Sequence, residues 1–91
     1  MEKFYYTFGS DPRFPHQHGW VEIHAANWEA AHRIFRSHYP DRHPNTLNCA
    51  FFYTEEQWRN MNPEKNWTGW RCHAVLTAEQ TEDKHYAERT A

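Results

Sequence analysis

The chain has 91 residues and a formal charge of -2, with 24% charged side chains, which bounds it to one small domain and argues against a general phosphate-backbone binder, because such proteins carry a large positive excess. Two cysteines, Cys49 and Cys72, supply neither a disulfide framework nor a CxxC pair, and no apolar run reads as a signal peptide or membrane span, so a reducing, cytoplasmic setting is expected. Six Phe, five Tyr, five Trp and eight His stand against six Leu, Ile and Val together, so rings must build most of the core, and their abundance argues against disorder.

Phe4, Tyr6 and Phe8 alternate with Tyr5 and Thr7, the period-two pattern of a strand with one aromatic face. Residues 9–19 hold two glycines and two prolines and read as a loop, long for a hairpin and therefore a place to look for function. In residues 20–25, Val21, Ile23 and Ala25 face one way and Trp20, Glu22 and His24 the other, which predicts a second strand antiparallel to the first. Asn27 suits a helix N-cap, and Trp28, Ala31, Phe35 and Tyr39 then recur at helical spacing until Pro40.

Residues 41–46 form a polar connection, and the apolar run 48–53 suits a central strand deep in the sheet. Thr54 and Gln57 match a capping box that opens a short helix carrying Trp58 and Met61 and closed by Pro63. Residues 64–69 are turn-like. Residues 70–76 alternate Trp70, Cys72, Ala74 and Leu76 against Arg71, His73 and Val75, a fourth strand. The polar stretch 77–91 reads as a solvent-facing helix or a frayed tail.

The expected architecture is α+β in the order β-β-α-β-α-β, a single domain over 1–76. A mostly antiparallel four-stranded sheet carries one main helix on a face. Its second face is the open question: Tyr, Trp and His residues exposed there would form a platform for a ligand or a second subunit.

No catalytic constellation stands out. His16 and His18 with Asp11 offer imidazole and carboxylate for a metal, but solvated loop histidines account for them better in a chain with eight histidines, and no metal or cofactor is implied. Cys49 and Cys72 alternate with apolar residues, as buried structural thiols do. Glu55 and Glu56 occupy a first helical turn, where the helix dipole favours carboxylates. The cations Arg13, Arg42, Lys65 and Arg71 lie beside Phe14, His43, Trp67 and Trp70. Cations interleaved with rings hold small anionic ligands that contain a base, by charge on phosphate and stacking on the base. The candidate ligand-binding set is therefore Tyr6, Arg13, His16, His18, Arg42, Lys65, Trp67 and Arg71. Histidine titration would strengthen an anion site on mild acidification.

The stretches Tyr5-Tyr-Thr-Phe-Gly-Ser-Asp-Pro12, Gly19-Trp-Val-Glu-Ile23, the 30–35 helix, and Asn48-Cys-Ala-Phe-Phe-Tyr-Thr-Glu-Glu-Gln-Trp58 resemble small uncharacterised proteins carried by phages and prophages of gut Firmicutes. The resemblance covers about the first two-thirds of the chain and implies a cytoplasmic antagonist of defence in a bacterial host. Its function would be non-enzymatic, sequestering a nucleotide signal or binding and inhibiting a defence protein, in a homo-oligomer that binds neither membrane nor nucleic acid in general. A small metal- or Cys-dependent enzyme and a structural homodimeric phage module are the alternatives.

Overall fold

The computed structural model describes residues 1–78, and its elements run β1 (Glu2–Thr7), β2 (Gly19–Ala25), α1 (Trp28–His38), β3 (Phe51–Thr54), α2 (Glu55–Asn60), α3 (Pro63–Asn66) and β4 (Arg71–Thr77). The sheet order is β3-β1-β2-β4. β1 pairs antiparallel with both β2 and β3, whereas β4 runs parallel to β2. The result is an α+β fold with a mixed sheet, which corrects the mostly antiparallel expectation. Its cause is the α2–α3 connection, which carries the chain from the β3 edge to the far edge and delivers β4 alongside β2, since a parallel pair needs such a crossover.

Alternation along β1 and β2 sorts side chains onto two faces as expected. Phe4, Tyr6, Val21, Ile23 and Ala25 join Phe8, Ala31, Ile34, Phe35 and Leu76 in one buried core, and Tyr6 stacks on Phe35 with centroids 4.5 Å apart. Asn27 Oδ1 accepts from the Ala30 amide at 2.9 Å, capping α1, and the helix ends at His38 with Tyr39 as its C-cap. Tyr39 precedes Pro40, where helical backbone is disfavoured.

The second sheet face is covered around Tyr5 by α2 and left open at its edges, where Phe51, Cys72 and Val75 are exposed. Tyr5 stacks flat on Trp58 of α2 at 4.6 Å, and Trp58 also meets Trp20 and Trp67. Both Tyr5 and Trp58 are buried. The Thr54–Gln57 capping box is present, with Gln57 N donating to Thr54 Oγ1 and Thr54 N to Gln57 Oε1.

Four local expectations change. The run 48–53 does not form a central strand: β3 is an edge strand, and Phe51 and Phe52 are 64% and 44% exposed. An apolar run records hydrophobicity but not which strands flank it. Pro63 does not only close α2; it opens α3, where its missing N–H costs nothing, so the stretch read as a turn holds one helical turn. The two-fold alternation of β4 breaks at a register shift between Trp20 and Val21, which face Cys72 and Ala74 and leave His73 as the extra residue. Thr77 completes β4 instead of starting a tail; the rest of the expected tail, 79–91, lies outside the described residues.

Candidate functional site

The loop between β1 and β2 turns back on itself because Gly9 takes a φ of 64°, a value that suits glycine, and its carbonyl accepts from the His18 amide at 2.8 Å. Within it, Asp11 Oδ1 accepts from the Arg13 backbone amide at 2.9 Å, an Asx turn. The Arg13 guanidinium then closes on the same carboxylate through Nε at 3.1 Å and Nη2 at 2.7 Å. These bonds to Arg13 hold the Asp11 carboxyl down to about 2. Gln17 Nε2 ties the turn together by donating to the carbonyls of Asp11 and Phe14 at 3.1 and 2.8 Å.

The polar segment after α1 meets this turn. Arg42 Nη1 donates to the Arg13 carbonyl at 2.8 Å, and Arg36 holds Asp41 through Nε at 3.0 and 3.1 Å. Between turn and segment lies a cleft of about 280 Å³ whose walls include Asp11, Arg13, Phe14, Arg42, His43 and Asn48. Arg13 is neutralised by Asp11, but Arg42 enters no ion pair among the described residues. The cleft thus presents a cation outside any ion pair, one ring and an imidazole, with the Asp11 carboxylate held by Arg13 and also within the field of Arg42. That set suits an anion attached to a flat group.

Sequence spacing placed eight residues in a candidate site, and the fold unites two of them, Arg13 and Arg42, in this cleft. Tyr6 is fully buried, its hydroxyl 2.8 Å from His32 Nδ1, so it presents no surface to a ligand. Lys65 is exposed on a separate surface with Arg59, Asn62 and Glu64. Trp67 is half-buried, 4.9 Å from Trp70 and 5.0 Å from Trp58. Arg71 and His18 are both exposed, with His18 edge-on to Trp70.

His16 pairs with neither His18 nor Asp11. It stacks on His73 at 4.3 Å, and its Nε2 lies 3.2 Å from the Tyr39 hydroxyl. His73 Nε2 in turn donates to the Gln17 carbonyl at 3.1 Å, so β4 anchors the residue that braces the cleft turn. Among the described residues no three His, Cys, Asp or Glu side chains gather where they could hold a metal. Burial pushes the Cys49 thiol up to about 12; Cys72, expected to be buried, is exposed on the edge strand, though partial desolvation raises it as well, and both shifts disfavour the thiolate a Cys nucleophile needs. No helix among the described residues is long and apolar enough to cross a membrane.

Asn48 is the cleft residue that sequence spacing missed. It looks like the first residue of a strand, and only the packing of the 40–50 segment places it in the wall. Comparison with protein-family models, curated proteins and solved structures finds no match to the chain.

Proposed function

We propose that the chain is a non-enzymatic binding protein that captures a small anionic, base-containing ligand in the cleft between residues 11–14 and 42–48. One observation carries this reading: Arg42 reaches across to the Arg13 carbonyl and leaves its charge unpaired beside the Phe14 ring. Arginine matches phosphate by geometry as well as charge, and an aromatic face stacks a base. The small volume favours a mononucleotide-sized ligand, since it falls at the lower end of small-molecule sites. With the resemblance to phage and prophage proteins, the biological role becomes sequestration of a signalling nucleotide of bacterial immunity.

Isothermal titration against mononucleotides, cyclic nucleotides and ADP-ribose derivatives tests it. The expected result is binding that Arg42→Ala weakens by about tenfold or more, the scale of a lost charge-assisted hydrogen bond. No heat with any of these ligands overturns the reading. A second reading, inhibition of a defence protein through an apolar surface, is favoured by the exposure of Phe51 and Phe52 on the edge strand.

A further inference from the structure

His43 stands next to Arg42 in the wall of the cleft, and both residues are exposed, so an anion reaches them without any rearrangement. The His43 carbonyl accepts from the Thr46 amide at 3.1 Å, with Pro44 and Asn45 between them and Asn45 at a φ of 60°. Proline followed by a left-handed residue is the pattern of a type II turn, so the backbone at His43 is set before any ligand arrives. His16 and His18, the histidines that spacing marked, stand elsewhere, against His73 and Trp70.

The other charged groups around the cleft keep their state near neutral pH. Bonds to Arg13 hold the Asp11 carboxyl down to about 2, and burial pushes the Cys49 thiol up to about 12. Arg13 and Arg42 stay charged. Asp41, two residues back, is held by Arg36. Imidazole is the side chain whose ordinary charge change falls between about pH 5 and 8.

Resting on the anion-binding reading of this cleft, we infer that His43 is its second anion contact and makes capture proton-dependent, the imidazolium joining the Arg42 guanidinium on one phosphate. A neutral ring offers a single N–H donor, whereas a protonated ring offers two donors and a charge. One Arg42 N–H is already given to the Arg13 carbonyl, which leaves room on the anion for a second donor. Asp11 and Arg13 cancel each other, so one proton on His43 doubles the net positive charge of the walls. Capture therefore tightens as pH falls.

Sulfate and cyclic adenosine monophosphate test this, because each keeps its own charge across the window. With either probe, affinity by isothermal titration should rise about tenfold from about pH 8 to about pH 5.5, the scale of one charge-assisted hydrogen bond. His43→Gln keeps a neutral donor and should bind as the native chain does at the higher pH, with no rise. His38→Gln, at the end of α1 and outside the cleft walls, should keep the rise. A rise that survives His43→Gln, or a flat native profile with a probe bound, overturns the role of His43 and leaves the anion site standing. Failure of both probes to bind at either pH overturns the underlying reading as well. Should His43→Gln not fold, the native chain still decides by nuclear magnetic resonance: the His43 ring should take its proton at higher pH with probe present, and an unmoved midpoint refutes the contact.

Discussion

His16 and His73 stack face to face, ring centroids 4.3 Å apart and planes within 5° of parallel, and so join the β1–β2 loop to the last strand. Close stacking beside Arg71 disfavours a charged His16 ring. Burial first, then His73, then Arg71 lower the pKa of His16.

A pH dependence of stability follows from that contact. A histidine whose folded pKa is lowered contributes stability that is complete above the ordinary imidazole value and is lost as pH falls below it. His32, lowered by burial and then by Arg36, acts in the same direction. The melting temperature should therefore drop as pH falls from about 6.5 to about 5, a window set by the ordinary histidine value. His16→Asn should flatten part of the slope, with His32 supplying the remainder. A native melting temperature that stays level across this window contradicts the assignment.

Gly19 faces β4 at close quarters. A Cβ there would lie 2.1 Å from the Arg71 carbonyl oxygen and 2.5 Å from His73 Nε2. The carbonyl cannot retreat without breaking the β2–β4 ladder, so Gly19→Ala should cost about 1–3 kcal/mol, the range for overpacking. Gly69→Ala is the contrast: it meets nothing within 4 Å and pays only for a φ of +88°. Chemical denaturation of the two variants checks the order, and a larger loss at Gly69 would show that the parallel edge tolerates spreading.

Trp58 is the keystone of the second layer. It stacks on Tyr5 within 4° of parallel and packs at 5.1 Å on Trp20 and 5.0 Å on Trp67. Trp58→Ala should lose about 3–5 kcal/mol, a large part of the roughly 5–15 typical of a domain. Trp58→Phe, which keeps a ring over Tyr5, should lose much less. Urea unfolding reads both, and a loss from the alanine variant of under about 1 kcal/mol means that this face is not a core.

The Tyr6 hydroxyl and His32 Nδ1 lie 2.8 Å apart. Burial raises the Tyr6 pKa far above its usual range, so the hydroxyl stays protonated, and with it as the donor the expected His32 tautomer carries its proton on Nε2. Tyr6→Phe should cost about 1 kcal/mol, a typical net hydrogen bond, and release the tautomer preference. Nitrogen-15 shifts of the His32 ring measure that directly; an Nδ1–H tautomer in the native chain refutes the donor assignment.

Much of the local structure was legible in the chain. The inward alternation of Val21, Ile23 and Ala25, the Asn27 cap and the Thr54–Gln57 box all depend on neighbours within a few residues, and each is present. The candidate site was legible only in part. Arg13 and Arg42 stood out as cations beside rings, but Lys65, Trp67 and Arg71 carried the same signal and lie elsewhere. Adjacency in sequence records what a residue is next to, not what the fold brings opposite. Asn48 gave no signal at all, because an unpaired buried acceptor exists only once its surroundings have closed around it.

What the sequence determined by itself was the ring-built core and the identity of its faces. With so few aliphatics, periodic Phe, Tyr and Trp had to fill the interior, and a period of two or of 3.6 assigns each to a side. Tertiary structure decided the rest: that β4 lies parallel to β2, that β3 is an edge, that Trp58 and Trp67 cover the second face around Tyr5, and that Arg13 meets Arg42. Those outcomes depend on contacts between residues tens of positions apart. Periodicity, being a property of near neighbours, leaves strand order and partner choice open.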